Sequence, residues 1–394
     1  MVKDQGRILN RLRVVNQVGF EEAWEDHAMS LGFLDHMRVV PDHRIPGMVT
    51  YPLDEVLLAT LVGVVCGADD WEGVEEVATG ALEWLCGFLP FANGIPTAQT
   101  LRKVFRLLDT RALQRGFAAW AASLRAEARE VIAVDGKTLR GSKTSPDGKG
   151  ALHLVSAYAT EAGLVLAQQA VDGKSNEITA IPELLDMLNL KGAIVSIDAM
   201  GTQKEIARRI VDKGADYVLA LKGNQTSLHE DAALFFADPV CAADCAVSAE
   251  TDAGHGRIEE RSCRAAEASW LAECHPDWKD LRSIAAVTAR RIDKKTGRES
   301  LETRYYITSL EPDPKAILGA TRAHWGIESF HWTLDVTFDE DRCRTRKDAS
   351  PLNFALIRHS GYNLLKADKS RGSLRRKRLR ACVDPAFRNK LFAA

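Results

Sequence analysis

The run VIAVDG at residues 131–136 is where the chain changes its period. Before it, apolar residues recur at helical spacing. From Val131 the β-branched residues run together and stop at Asp135 and Gly136, the pattern of a buried strand. A second such run, AIVSID at residues 193–198, also ends on an aspartate, Asp198. Between the two, LHLVSAYAT (152–160) and LVLAQQAV (164–171) read as a hairpin turning at Glu161–Gly163. Residues 176–190 read as a helix, 203–213 as another, and ADYVLAL (215–221) as a further strand. The order β-β-β-α-β-α-β predicts an α/β fold: a mixed sheet with helices packed on it.

Upstream, residues 1–125 read as helical. Phe20–Met37 is a mixed-charge amphipathic stretch, and Val56–Ala68 is a buried apolar helix too short to span a bilayer. A helix from Asp69 continues to Trp84 and Leu85, and Asn93–Pro96 is a turn. Thr97 then caps a helix whose apolar stripe is Leu101, Val104, Phe105 and Leu108. Arg102, Lys103 and Arg106 lie off that stripe. A short helix, a turn and a basic helix is how a DNA-reading pair looks, and equally how an ordinary bundle with solvated cations looks.

Downstream, residues 225–310 read as a β insertion with strands RIEERSCRA, SIAAVTARRID and ESLETRYYITSL. Lys294–Gly297 is its hairpin turn. A single helix over 314–336 should then resume the main fold. It carries Glu328 inside HWGIESFHWTLDVTFDED (324–341). On a helix His324, Trp325, His331, Trp332 and Asp335 share the face of Glu328. The tryptophans are expected to support Glu328 by packing, and the histidines to stand behind it or to face DNA. The bland alternative is a half-buried amphipathic helix with a solvated glutamate.

The chain has 394 residues, 46% hydrophobic and 27% charged, with a formal net charge of −2. There is thus no global pull toward nucleic acid. From Lys366 to Arg380, however, eight basic residues, Arg375 and Arg376 among them, face a single acid, Asp368. That run is either a phosphate-binding segment or a solvated tail. The eight cysteines are scattered and no leader peptide is evident, so reduced thiols in the cytoplasm are expected. Cys241 and Cys245 lack a second tight pair of ligands for zinc.

If the strands ending in Asp135 and Asp198 are neighbours, two carboxylates converge at one sheet edge, and Glu328 can complete the cluster. Crowded carboxylates repel. A pair of Mg²⁺ or Mn²⁺ ions relieves the repulsion and serves phosphoryl displacement, acting on attacking and leaving oxygens without a protein nucleophile. Gly136–Thr138 (GKT) invites a nucleotide-binding reading, but position 131 is Val where a phosphate loop needs Gly, so no nucleotide cofactor is expected. A glycosidase would want aromatic sugar platforms near both aspartates.

VDGKTLRGS (134–142), SIDAMGTQKEIA (196–207), YVLALKGNQ (217–225), HGRIEER (255–261), the 324–341 stretch and RHSGYNLLK (358–366) occur in this order. Together they resemble the DDE transposases of bacterial insertion sequences, the ISAs type above all, from about residue 40 onward. The resemblance implies a ribonuclease H-like core with a β insertion and an all-helical N-terminal domain (1–125) that binds the element's terminal inverted repeats. It also implies a catalytic domain at 126–345, with the insertion at 225–310, and a helical, basic C-terminal segment at 346–394. Asp135, Asp198 and Glu328 map to its catalytic, metal-binding triad.

The implied activity is metal-dependent cleavage and strand transfer of double-stranded DNA by a homodimer, in the cytoplasm and on the nucleoid when bound. A catalytically inactive DNA-binding descendant is the alternative. Relatives often carry Tyr and Arg before the glutamate and Lys seven residues after it. Here those positions hold Thr321, His324 and Asp335. Lys222, Asn224, Arg257, Arg322 and Lys347 are further candidates for DNA contacts.

Overall fold

Six helices precede the first strand among the described residues: α1 (Gly32–Met37), α2 (Leu53–Val65), α3 (Trp71–Gly80), α4 (Leu82–Leu85), α5 (Ala98–Leu107) and α6 (Thr110–Ser123). This computed structural model describes residues 32–125, 129–143, 150–171, 176–254 and 256–393. The amphipathic stretch expected from Phe20 therefore lies outside the described residues up to position 31. So do positions 144–149 of the Gly/Ser/Pro-rich connection and His255 of the HGRIEER motif.

Local chemistry accounts for the helix starts. The Thr97 hydroxyl accepts from Thr100 N at 3.3 Å and the Asp70 carboxylate from Gly73 N at 2.8 Å, supplying partners to amides that a helix leaves orphaned. The expected helix from Asp69 to Leu85 is in fact two, divided at Ala81. α2 is buried along nearly its whole length, as its continuous apolar run requires. No helix among the described residues is long and apolar enough to cross a membrane.

The sheet follows: β1 (Val131–Leu139), β2 (Leu152–Ala159), β3 (Leu164–Val171), then α7 (Glu177–Asp186), β4 (Ile194–Ile197), α8 (Lys204–Asp212) and β5 (Asp216–Leu221). After α9 (Thr226–Ala237) and α10 (Pro239–Ala243) come β6 (Ala246–Gly254), β7 (Arg257–Glu267), α11 (Ser269–Cys274), β8 (Ser283–Asp293) and β9 (Glu299–Thr308). The nine strands form one sheet in the order β3-β2-β1-β4-β5-β9-β8-β7-β6. β1, β4 and β5 are mutually parallel and the other pairings antiparallel. This mixed sheet with helices on its faces is the expected ribonuclease H-like α/β architecture. The insertion has four strands rather than three, and it extends the main sheet, because β9 pairs with β5. The missed strand, β6, is an exposed edge of small and polar residues with no apolar alternation.

The expected single helix over 314–336 is broken. α12 (Pro314–His324) and α13 (Gly326–Thr337) meet at Trp325. Gly326 offers little resistance to a bend, and its Cα lies against the ring of Tyr158, 3.4 Å from where a Cβ would sit. α14 (Ser350–Ala367), α15 (Leu374–Val383) and α16 (Pro385–Phe392) complete the chain.

α14 is buried from Asn353 to Leu365 and shares one core with the N-terminal helices, including Phe105, Phe117, Phe354 and Leu365. Asn353 Nδ2 donates to Phe105 O at 2.9 Å. Asn363 exchanges two hydrogen bonds with Val165, at 2.8 and 2.9 Å, so α14 also covers the outer edge of β3. The basic run is not a solvated tail. Arg378 is buried and donates to Val64 O (2.9 Å), Ala68 O (3.2 Å) and Asp69 Oδ1 (3.0 Å), neutralising the carbonyl end of α2. Lys377 is likewise buried, with Asp368 Oδ2 at 3.1 Å, whereas Arg375 and Arg376 are exposed.

Candidate active site

β1 and β4 run side by side in parallel, Ile132 beside Val195 and Val134 beside Ile197. Asp135 and Asp198 occupy the next position on each chain. Apolar burial of the two strands fixes that register, since one step of slippage would turn every side chain to the other face. β1 does not end at Asp135, as the sequence suggested. It continues to Leu139 on β2, with Gly136 opposite Val155 and Thr138 opposite His153. Beyond Val134, therefore, β1 has β2 on one side and no strand on the other among the described residues.

Asp198 opens a tight loop. Its Oδ1 accepts from Met200 N (3.1 Å) and Gly201 N (3.3 Å). Asn224 Nδ2 donates to Ala199 O (2.6 Å), and Gln225 Nε2 to Thr202 O (2.9 Å). Asn224 thus braces the loop that carries Asp198, and Lys222 beside it is exposed.

α13 lays Ile327, Phe330 and Leu334 on the core, with Phe330 stacked on Tyr158 at 5.4 Å between ring centroids. Glu328 is exposed in the first turn, where the helix dipole favours a carboxylate. His331 reaches β1, its Nδ1 3.6 Å from Asp135 Oδ2, while its Nε2 is buried without a hydrogen-bond partner among the described residues. His324 Nδ1 pairs with Ser196 Oγ at 2.9 Å, just behind Asp198. The tryptophans do not support Glu328 by packing: Trp325 is 44% and Trp332 63% exposed. The break at Trp325 and the narrow apolar stripe of α13 leave them outside the core. Trp325 instead lies under the Arg304 guanidinium, 5.3 Å from its ring centroid.

Burial, and after it the charges of Asp198, Glu177 and Glu328, push the Asp135 carboxyl up to about 7. The two aspartates and Glu328 therefore share one electrostatic neighbourhood. Burial holds His331 down at about 3 and also lowers His324. No three His, Cys, Asp or Glu side chains among the described residues are drawn together into a finished metal cage. The donor set nevertheless suits a hard divalent cation: carboxylate oxygens, one of them deprived of water and opposed by like charges.

Two features carry no local signal in the sequence. Lys137, 10% exposed, places Nζ 2.7 Å from Asp335 Oδ1, 3.2 Å from Glu340 Oε2 and 3.5 Å from Asp341 Oδ1. Burial works against its charge, but these carboxylates outweigh it and raise its pKa, while Glu340 is itself pushed up by burial. Glu177 and His153 form a pair beside Gly136, with Nε2 to Oε1 at 2.6 Å. Only the tertiary register of β1 on β2 and of α13 on β1 brings these groups together.

The remaining candidates scatter. Arg102 pairs with Glu72, and Arg106 Nη2 with Asp348 Oδ2 at 2.6 Å; Lys103 is exposed. All three line a cleft of ≈ 700 Å³ with Arg342, Arg344, Arg346 and Lys347. Arg257 Nε lies 2.9 Å from Glu259 Oε1. Arg322 holds Glu250 (3.0 Å) and Asp252 (2.9 Å) on β6.

Residues 126–364 match a family model described as "Transposase DDE domain", and residues 34–121 match one described as "DDE_Tnp_1-associated". A protein named "Putative transposase YncI" from Escherichia coli O157:H7 is 38% identical over 367 residues, covering 92% of this chain and 94% of that one. The "H repeat-associated putative transposase YhhI" of Escherichia coli K12 is 36% identical over 358 residues, 89% of this chain and 95% of its own. A short relative from the same strain named "Inactive transposase YbfQ" is 34% identical over 71 residues, 18% of this chain and 84% of that one. With a nine-stranded mixed sheet, aspartates side by side just past the paired stretch of adjacent parallel strands and a family match across most of its length, this chain belongs to the DDE transposases of the insertion-sequence type.

Proposed function

We propose that the protein cuts double-stranded DNA at the terminal inverted repeats of its element and joins the freed 3′ ends to target DNA. The adjacency of Asp135 and Asp198 on neighbouring parallel strands, with the Glu328 helix packed over Asp135 through His331, carries this reading. Asp135, Asp198 and Glu328 would hold two Mg²⁺ or Mn²⁺ ions. When bound, such cations activate the attacking oxygen and stabilise the leaving 3′-oxygen.

The chain's own residues supply the frame. The Asp198 loop is pinned by Asn224 and Gln225. Neutral His331 and His324 back the aspartates without adding positive charge that would compete with a cation. A water, and in the second step a 3′-hydroxyl, attacks the phosphodiester in line. Each step breaks one P–O bond and makes one, so no nucleotide cofactor is consumed.

Residues 1–125, in this reading, bind the element ends, 126–345 catalyse, with the insertion at 225–310, and 346–394 close the helical body. Lys103, Lys222 and Lys347, with Arg375 and Arg376, are exposed cations suited to backbone phosphates. Arg102, Arg106, Arg257 and Arg322 would have to exchange their present carboxylate partners for phosphate. Pairing two ends calls for a homodimer on DNA. The test is Mg²⁺-dependent nicking of a duplex carrying the inverted repeats that flank the gene. Wild-type protein should nick it, and Asp135→Ala, Asp198→Ala and Glu328→Ala should bind it without cutting. Cleavage retained in Asp135→Ala overturns the assignment.

A further inference from the structure

Glu177 is the first residue of α7, which packs on Ile132 and Val134, the sheet face opposite that of α13 on Ala133 and Tyr158. Its Oε1 sits 2.6 Å from His153 Nε2, and His153 Nδ1 sits 2.8 Å from Thr138 Oγ1. Thr138 and His153 face each other across the β1–β2 ladder. The Thr138 hydroxyl can donate to Nδ1, which leaves the neutral imidazole to donate from Nε2 to Glu177. One carboxylate oxygen is thereby clamped. The other makes no hydrogen bond among the described residues.

Gly136 explains why this pair can stand where it does. A Cβ at Gly136 would lie 2.1 Å from Glu177 Oε1 and 2.5 Å from His153 Nε2. The carboxylate occupies the space of the missing side chain, so glycine here serves close approach. Asp135 and Lys137 project toward α13, and Gly136 and Thr138 toward Glu177. Past Val134 the β4 side of β1 carries no strand among the described residues, so groups from both faces can meet in that notch.

We propose that Glu177 is a fourth carboxylate of the cation-holding site, oriented by His153 and admitted by Gly136. This rests on the reading of Asp135, Asp198 and Glu328 as cation ligands. The test is titration of the full-length protein with Mn²⁺ alone, followed by calorimetry and by the electron paramagnetic resonance signal of free Mn²⁺. Glu177→Gln keeps an acceptor for His153 but removes the charge. Its Mn²⁺ dissociation constant should rise about tenfold or more, with an unchanged urea midpoint. His153→Gln keeps the charge, loosens its anchor and should show a smaller rise; it carries the test if Glu177→Gln does not fold.

Wild-type Mn²⁺ binding that weakens in Asp135→Asn but is unchanged in the Glu177 and His153 variants removes Glu177 alone. Absence of Mn²⁺ binding in the wild type, or wild-type binding by Asp135→Asn, removes the triad reading and this proposal together.

Discussion

Lys137, two residues beyond Asp135 on β1, places its ammonium 2.7 Å from Asp335 on the helix that carries Glu328. The cation comes from the strand and the helix supplies the anion. Glu340, 1% exposed in its side chain, shares the same ammonium. Removing the cation leaves a buried carboxylate without its partner. Lys137→Met should therefore cost about 3 kcal/mol or more in urea unfolding. Asp335→Asn should cost under about 1 kcal/mol, because Asp335 is partly solvated and Glu340 and Asp341 still hold the lysine. Equal losses in the two variants would show that the pair, rather than the buried Glu340, sets the energy.

The raised pKa of Asp135 fixes the sign of a pH effect in the metal-free protein. Between about 4 and about 7 the folded chain keeps a proton that the unfolded chain releases, so this group's contribution to stability falls as pH rises through that window. His331 works the other way. It stays neutral when folded, so its contribution falls as pH drops below about 6.5. Comparison with Asp135→Asn isolates the aspartate. The variant should match the wild type near pH 4 and exceed it at pH 8 by a few kcal/mol, on the order of the full shift. Denaturant curves at the two pH values check this; a constant difference would contradict it.

Exposure separates the aromatic residues of α13. Phe330 is 1% exposed and stacked on Tyr158, so Phe330→Ala should cost about 3–5 kcal/mol. Trp332→Ala should change stability by less than about 0.5 kcal/mol. Thermal unfolding of the two variants decides it.

The basic C-terminal run should split by burial. Arg378→Ala strips partners from Val64 O and Ala68 O and should destabilise by a few kcal/mol. Arg375→Ala and Arg376→Ala should leave stability unchanged. In DNA binding each should lower the slope of log affinity against log salt by about one, as should Lys103→Ala and Lys347→Ala. Unchanged slopes would move the duplex away from these residues.

What was legible in the sequence was local. Val131–Val134 and Ile194–Ile197 announced themselves by β-branching, the helix at Ala98 by its Thr97 cap, and the β8–β9 hairpin by Gly297, which indeed takes φ 68°. What was not legible depends on partners distant in sequence. β1 runs past Asp135 because β2 receives it, and β6 exists because β7 offers an edge to a segment with no apolar signal. Trp325 and Trp332 looked like core by spacing, but the turn at Gly326 points them outward. Of the candidate site, the two aspartates and Glu328 could be proposed in advance, from strand ends and helical spacing. Lys137, His153 and Glu177 could not, because ordinary residues in ordinary strands and helices acquire meaning only in the assembled register.

The Arg378 side chain reaches back 314 residues to the carbonyl of Val64. With α14 through α16 it completes the core shared with α1 through α6. On the ribosome those helices emerge before the sheet but must wait for residues 350–392 before their apolar faces can close. The central sheet can be fully paired earlier, from contacts nearer in sequence. Synthesis of α14 through α16 is therefore the event that completes the helical body, and a copy cut short before Ser350 would carry a paired sheet beside an open, sticky half-core.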